Sequence, residues 1–230
     1  MLILAVDTST QAGSLAILRA ARVLGVVSTW VDETYSSRMF RHLDFLLREL
    51  QVDLKEFDLF AVAAGPGSFT GLRVGLTAVK GWAEVYQKPI AAVSALEAVA
   101  AQAKASGALL VPIVDARRGQ IYGGVYQRSS HGLIRRGDEV VMTLAEFVQQ
   151  LQVEVREEPP VFVTPAPELL RSPLANSVFR GAPIEAVSTV LAPVIGQLGF
   201  LRAQRGELVD ALQLDANYVR RSDAELLWKG

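Results

Sequence analysis

The chain has 230 residues, of which 50% are hydrophobic and 20% charged, and its formal net charge is −1. This composition indicates a globular protein with a substantial core and gives no electrostatic footprint for nucleic acid. Cysteine is absent, which excludes disulfides, thiolate catalysis and cysteine-ligated metal. The chain begins with a strand, and no apolar run has membrane-spanning length, so we expect a cytoplasmic protein.

The first half of the chain alternates strand and helix signals. In the first helix, apolar residues recur at helical spacing and Arg38 lies on the charged, opposite side. The predicted elements are strands at 2–6, 14–18 and 23–31, a helix at 36–50, a strand at 59–64, a helix ending near 86, a strand at 90–93 and a helix at 95–105.

The second half begins with strands at 109–114 and 120–126. An edge strand at 139–142 precedes a helix that starts at a capping box of Thr143 and Glu146. Residues 157–183 are proline-rich and poorly periodic, and a long helix at 185–205 precedes a polar tail. This order indicates an α/β protein with mixed sheets. We expect lobes at 1–106 and 107–230, with the tail packing back on the first lobe.

A glycine-rich run joins the strand at 59–64 to the helix that follows it. The run contains a Gly-Pro-Gly turn at 65–67 and places Gly71, Gly75 and Ala78 on one face of the helix. The Lys-Ser or Lys-Thr pair that a P-loop needs is missing. Because glycine destabilises a helix, this face predicts close approach of another backbone. A partner helix is favoured, and an internal contact is the alternative.

The two halves of the chain share a pattern. Asp7 ends a buried strand before a short polar turn and an antiparallel strand, and Asp115 does the same in the second half. Duplicated lobes of this kind describe the actin-like ATPase and sugar-kinase architecture, in which such turns grip phosphates through backbone N–H groups. The pattern therefore predicts two related lobes.

Four segments in the same order resemble the bacterial TsaB (YeaZ) family. They are the opening at 1–10, the Gly-Pro-Gly-Ser-Phe-Thr-Gly run, the segment 115–122, and the late Tyr218-Val219-Arg220. The family supplies the non-catalytic subunit for synthesis of N6-threonylcarbamoyladenosine at position 37 of tRNA. One departure is Tyr35, which stands where family members often have a histidine, so the polar contact of that histidine is left open.

The resemblance implies an actin-like (ASKHA) two-lobe fold with duplicated mixed sheets. It also implies a scaffold or activator role in transferring threonylcarbamoyl to tRNAs that read ANN codons. The implied partners are the catalytic paralogue TsaD and the ATPase TsaE, with tRNA bound indirectly through the complex and no membrane. We expect no intrinsic cofactor, with ATP or ADP at the interface of the complex; homodimerisation of the isolated chain is left open.

The catalytic paralogue carries two metal-binding histidines, four residues apart, on the helix after the strand that follows its Gly-Pro-Gly turn. Ala95 and Val99 stand at the corresponding positions here and cannot bind metal. The two histidines of the chain, His42 and His131, are far apart in sequence, and a packed role is expected for His42. We therefore predict a pseudo-enzyme subunit with no catalytic and no metal-binding residues.

Two groups of site residues follow. The partner interface is assigned to Met39, Phe40, Leu43, Thr70, Gly71, Val74, Gly75 and Ala78. On this interpretation, Gly75→Arg abolishes association but leaves the stability of the monomer nearly unchanged. A remnant phosphate loop or cleft is assigned to Asp7, Thr8, Ser9, Asp115 and Arg117, with a cap or turn role as the favoured alternative.

Two hypotheses on function remain. The first is a scaffold that binds and activates a threonylcarbamoyl-transferring enzyme, which the missing metal ligands, the near-neutral charge and the small-residue helix favour. The second is an autonomous actin-like ATPase or phosphotransferase that uses Asp7 or Asp115. A nucleotide-binding titration separates the two.

Overall fold

The computed structural model describes residues 1–30, 35–105, 109–129, 132–155 and 159–219, and it leaves the side chains of Ser36 and Glu154 undescribed. His131, Arg220 and the end of the third predicted strand lie outside the described residues. Among the helices of these ranges, none combines the length and apolarity needed to cross a membrane.

Outside residues 157–186, for which the sequence predicts neither the two strands nor the helix that the structure has, the elements follow the predicted alternation. In the first half they are β1 (Leu2–Asp7), β2 (Ser14–Arg19), β3 (Arg22–Ser28), α1 (Tyr35–Leu50), a short 3₁₀ helix (Leu54–Glu56), β4 (Leu59–Gly65), α2 (Phe69–Tyr86), β5 (Ile90–Ser94) and α3 (Ala95–Ala101). In the second half they are β6 (Leu109–Arg117), β7 (Gln120–Ser129), β8 (Gly132–Thr143), α4 (Leu144–Glu154), β9 (Pro160–Thr164), α5 (Glu168–Ala175), β10 (Ile184–Ala186) and α6 (Ala192–Arg205).

The strands form two five-stranded mixed sheets with the same topology. The orders are β3-β2-β1-β4-β5 and β10-β9-β6-β7-β8. In each sheet, the first three strands form an antiparallel meander and the last two run parallel to the first. The predicted α/β class with duplicated mixed sheets is confirmed.

Each sheet belongs to a compact unit with its own hydrophobic core. Met1–Ala98 and Val190–Tyr218 form the first unit, and Val99–Thr189 forms the second. The first core includes Leu4, Ile17, Phe60 and Leu72, and the second includes Phe147 and Phe162. The last helix, α6, therefore packs in the first unit, although the prediction from the sequence is that residues 107–230 form the second lobe.

Three predicted boundaries are wrong, and two of them have a local physical reason. The helix expected at 185–205 begins only at Ala192, because β10 occupies 184–186 and Pro193 favours the first turn of a helix. The edge strand expected at 139–142 starts at Gly132; the first half of this strand is mostly exposed and does not alternate between apolar and polar residues, so hydrophobic alternation does not mark it. The helix expected at 95–105 ends at Ala101.

Helix α6 lies close to the first sheet because two glycines face it. A Cβ atom added at Gly196 would overlap the side chain of Leu18, and one added at Gly199 would lie 2.8 Å from the Cβ atom of Ala61. Farther along α6, Arg202 forms an ion pair with Glu97 and donates to the carbonyl oxygen of Ala92. The helix is thus held by close packing and by a partly buried ion pair.

We expect Gly199→Leu to lower the free energy of unfolding by about 2 kcal/mol or more, because the added side chain overpacks the contact with the sheet. Gly81→Ala is the matched control, since a Cβ atom at Gly81 meets nothing within 4 Å. Alanine there should raise stability by about 0.5–1 kcal/mol through its better helix propensity. Urea unfolding measures both, and equal stability of Gly199→Leu and the original chain would contradict the packing of α6.

Candidate functional site

The first candidate site is the turn that follows β1. Asp7, Thr8 and Ser9 have relative exposures of 0%, 1% and 3%. They are contributed by the end of a central strand of the first sheet, where an apolar run places the chain in the core. These three residues are therefore buried polar groups rather than an open loop.

The carboxylate of Asp7 is only half satisfied. Its Oδ1 atom accepts hydrogen bonds from the backbone nitrogen of Ser9 at 2.9 Å and from the Ser9 hydroxyl at 2.6 Å. Its Oδ2 atom has no hydrogen-bond partner among the residues that the structure describes. Burial raises the pKa of Asp7 from its ordinary value of 3.8 to about 6, and the hydrogen bonds from Ser9 oppose that rise.

Helix α2 covers this turn, and its glycines make the contact. A Cβ atom added at Gly71 would overlap the carbonyl oxygen of Thr8, and one added at Gly75 would overlap the Thr8 hydroxyl. The backbone nitrogen of Ser68 donates to the carbonyl oxygen of Ser9 at 2.8 Å. The close approach predicted for Gly71 and Gly75 is real, but it is internal, which corrects the partner-helix interpretation for these two residues.

The contact of α2 and the turn before it with Thr8 and Ser9 also argues against a phosphate-binding loop in the first unit. The backbone of Ser9 lies 2.5 Å from where a Cβ atom of Gly67 would stand, so no room for a phosphate group lies between them. The alternative of a structural turn, left open by the sequence, is the one that this geometry favours for Asp7, Thr8 and Ser9.

In the second unit, Asp115 and Arg117 lie at the turn between β6 and β7. The carboxylate of Asp115 accepts a hydrogen bond from the backbone nitrogen of Arg117 at 2.7 Å, and their side chains form an exposed ion pair at 3.9 Å. Arg117, Arg118 and Gly119 all have left-handed backbone conformations, with φ of 63°, 56° and 73°. The Asp115 side chain thus stabilises a tight turn.

The N-terminal end of α1 holds a buried cation, although helical periodicity predicts it on the charged side, opposite the apolar residues. Arg38 is 1% exposed. Its Nη1 donates to the carbonyl oxygen and hydroxyl of Thr29 at 2.8 Å, and its Nη2 donates to the carbonyl oxygen of Gln11 at 2.7 Å. Arg38 therefore connects α1 to the segment before β2, through Gln11, and to the segment after β3, through Thr29. Helical periodicity does not reveal this role.

Tyr35, the departure from the family pattern, packs into the same region. Its ring lies where a Cβ atom of Gly13 would stand, and the guanidinium of Arg38 lies 5.1 Å from the ring centroid. Burial raises the pKa of the Tyr35 hydroxyl well above its ordinary value; Asp7 adds to this rise and Arg38 opposes it. His42 packs edge-on against Tyr35 at 5.7 Å, as expected for a packed histidine.

The other residues predicted to form the partner interface differ in how far they are exposed. Met39 and Leu43 are 0% and 4% exposed and belong to the core, so their assignment to an interface is wrong. Phe40 is 55% exposed, and its ring packs edge-on against Trp82 at 6.4 Å. Thr70 is exposed, and Val74 and Ala78 are partly buried.

Two further residues of α2, Trp82 and Val85, extend this surface and were missed in the sequence. Val85 is 73% exposed. Trp82 and Val85 fall on the face of Val74 and Ala78 by the i, i+4, i+8, i+11 spacing, which is the signal that could have found them. We call Phe40, Val74, Ala78, Trp82 and Val85 the α1–α2 patch.

Ala95 and Val99, which the family resemblance places at the positions of the metal-binding histidines, lie in the core. Ala95 is 4% exposed and Val99 is 1% exposed. Within the described ranges, no group of three or more His, Cys, Asp or Glu side chains is placed to hold a metal ion. The described residues offer packing, rather than ligands, at this position.

The contact between Gly75 and Thr8 gives a prediction that reverses the one made from the sequence. We expect Gly75→Arg to lower the free energy of unfolding of the isolated chain by about 3 kcal/mol or more, because its side chain overlaps Thr8 and buries an unpaired charge. Thr77→Arg is the control, because Thr77 is exposed on the same helix. Circular dichroism melting distinguishes them, and an unchanged melt for Gly75→Arg would restore the partner-helix interpretation.

The raised pKa of Asp7 predicts a pH dependence of stability. The native state binds a proton more tightly than the unfolded state, so this contribution is complete below pH 3.8 and is lost as pH rises through about 6. In this window, stability should fall by up to about 1.4 kcal/mol per pH unit. Asp7→Asn removes the titration, and Asp44→Asn, on an exposed ion pair, is the control. Urea unfolding from pH 4 to 7 should show the Asp7→Asn curve diverging from the original chain; parallel curves would contradict the shift.

Comparison with known proteins identifies the family. The family model described as "TsaD: tRNA N6-adenosine threonylcarbamoyltransferase" matches residues 15–200. The chain is 33% identical over 230 residues to the tRNA threonylcarbamoyladenosine biosynthesis protein TsaB of Bacillus subtilis, covering 99% of this chain and 98% of that protein.

Solved structures agree with the sequence relatives. YeaZ from Pseudomonas aeruginosa superposes with a TM-score of 0.77 at 27% identity, covering 94% of this chain and 99% of that one. Lmo2764 from Listeria monocytogenes, described as a putative N-acetylmannosamine kinase, superposes with a TM-score of 0.51 at 13% identity, covering 89% of this chain and all of that one, which shows a shared actin-like fold alone. The chain therefore belongs to the TsaB (YeaZ) family of tRNA threonylcarbamoyladenosine biosynthesis proteins, within the wider family that the TsaD model describes.

Proposed function

We propose that this chain is a non-catalytic subunit that binds and activates a TsaD-family threonylcarbamoyltransferase. That enzyme transfers threonylcarbamoyl to N6 of adenosine 37 in tRNAs that read ANN codons. The observation that carries the proposal is the α1–α2 patch, which presents aromatic and aliphatic side chains to solvent on two neighbouring helices of the first unit.

The patch has the composition of a protein interface. Exposed groups of large apolar side chains mark partner surfaces, and aromatic residues are enriched there. Phe40 and Trp82 support each other edge-on, so the patch has a preformed shape. Ala78, between Val74 and Trp82 on α2, leaves space in which a partner side chain can pack. A protein with an apolar face of complementary shape is therefore the partner that we infer.

A non-catalytic role is supported by the residues at the positions that carry chemistry in related proteins. Ala95 and Val99 replace the histidines of the catalytic paralogue and are buried. Asp7 is 0% exposed, so its carboxylate cannot reach a nucleotide phosphate without a rearrangement of the residues around it. This argues against an autonomous ATPase or phosphotransferase that uses Asp7. The contribution of the chain is then to position its partner rather than to move a proton or a phosphate.

The remaining parts of the proposal follow from that role. With a net charge of −1, the chain contributes few of the phosphate contacts, and the partner holds most of the tRNA. We infer that ATP or ADP binds where the subunits of the complex meet, that TsaE joins there, and that the assembly is cytoplasmic. In the absence of the enzyme, the same apolar patch would support a homodimer.

Two phenylalanines on α1 test the proposal. Phe40 lies in the patch and is 55% exposed, whereas Phe45, which points to another side of the helix, is 53% exposed. We expect Phe40→Arg to weaken binding to the TsaD-family enzyme by about thirtyfold or more, because it places a charge in an apolar interface. Phe45→Arg should bind like the original chain.

Calorimetric titration with the purified enzyme gives the affinity, and threonylcarbamoyl transfer to tRNA gives the activity. Both variants should melt like the original chain, since both side chains are exposed. Equal losses for Phe40→Arg and Phe45→Arg, or none for either, would overturn the placement of the interface. Transfer activity of the chain without the enzyme would overturn its non-catalytic role.

A further inference from the structure

A segment near the C-terminal end, residues 209–218, runs across the first unit and is here called the strap. It begins with two backbone hydrogen bonds of 2.9 Å between Val209 and Ile90, which form an antiparallel bridge on β5. In its middle, Leu214 is 1% exposed and belongs to the first core. The strap is therefore fixed along its length by the sheet edge and by the core.

The strap ends on the Gly-Pro-Gly turn. The backbone nitrogen of Asn217 donates to the carbonyl oxygen of Ala64 at 2.7 Å. A Cβ atom at Gly65 would stand 2.5 Å from the carbonyl oxygen of Asn217 and 3.3 Å from Leu72 of α2. Gly65 thus lies between the strap and α2, and its lack of a side chain lets the two approach.

The next residue, Tyr218, contacts the first turns of α2 directly. Its ring centroid lies 5.1 Å from that of Phe69, and its hydroxyl accepts a hydrogen bond from Arg73 Nε at 3.4 Å. The guanidinium of Arg73 lies 3.9 Å from the centroid of the Phe69 ring. Phe69 and Arg73, one turn apart on α2, are therefore joined through one side chain of the strap.

We propose that the strap clamps the N-terminal turns of α2, and that Tyr218 is a positioning residue for the α1–α2 patch. This inference rests on the proposed function for its effect on partner binding. Phe69 and Arg73 precede Thr70 and Val74 in sequence, so the clamp acts at the end of α2 where the patch begins. Tyr218 holds these turns against the Thr8–Ser9 turn and so fixes the position of Val74.

Three variants test the clamp. Tyr218→Ala removes the ring stack and the contact with Arg73. Tyr218→Phe keeps the stack and loses only a long hydrogen bond. Leu212→Ala is the matched control, because Leu212 is 91% exposed on the same strap. Amide hydrogen exchange of the isolated full chain reports on α2 without any partner, and calorimetric titration with the TsaD-family enzyme reports on the patch.

For Tyr218→Ala we expect the amides of Gly71, Leu72 and Val74 to exchange about tenfold faster, while those of Val79 and Ala83 stay unchanged. Its affinity for the enzyme should fall about tenfold, the effect expected from losing one aromatic pair and the hydrogen bond from Arg73. Tyr218→Phe should retain at least half of the affinity, and Leu212→Ala should match the original chain in both measurements.

The two measurements separate the clamp from the proposed function. Unchanged exchange at the start of α2 in Tyr218→Ala would overturn the clamp, and so would faster exchange spread evenly to Val79 and Ala83, which would show a general loss of stability. If the original chain fails to bind the enzyme while Tyr218→Ala still loosens Gly71 and Leu72, the proposed function fails and the clamp stands.

Discussion

The contact between Thr8 and the glycines of α2 is the constraint on which the first unit depends. Thr8 follows the central strand β1, and its carbonyl oxygen and hydroxyl occupy the places where side chains of Gly71 and Gly75 would stand. The helix can approach the turn this closely only without those side chains. Each glycine destabilises the helix by about 1 kcal/mol relative to alanine, and the close packing of α2 on the turn offsets this loss. Because α2 is fixed on the turn, the adjoining face that carries Val74, Ala78 and Val85 keeps a defined position at the surface.

The burial of Asp7 limits the chemistry that the first unit can perform. Asp7 is 0% exposed, with one oxygen bonded to Ser9 and the other without a partner among the described residues. Such a carboxylate destabilises the fold when it is ionised, as its raised pKa shows. The chain therefore has the strand-turn-strand unit of an actin-like fold, but the Asp7 carboxylate of that unit is buried and not exposed to a ligand.

Local patterns were enough to predict most of the elements and the repeat of the two sheets. The capping box is an example: Thr143 and Glu146 are three residues apart, and each accepts from the other's backbone nitrogen, at 3.3 and 2.9 Å. Contacts between distant segments were not predictable in this way. Gly71 showed that something approaches α2, but nothing in the spacing showed that Thr8, far away in the sequence, is the neighbour. Arg38 fitted the polar side of α1 equally well, although Thr29 and Gln11 bind it in the interior.

The glycines of the run contact different neighbours, all within the first unit. The residues that support the fold are therefore different from those proposed to bind a partner. Gly65 faces the strap, Gly67 faces Ser9, and Gly71 and Gly75 face Thr8. All four are used inside the first unit, so the specific appearance of the run in the sequence reflects internal packing. The exposed part of the patch is formed instead by the larger side chains of Phe40 and Val85, while Val74, Ala78 and Trp82 also pack against the core. Substitutions in the run therefore act on the fold first, whereas substitutions of the exposed patch residues Phe40 and Val85 leave the fold intact and act on what it binds.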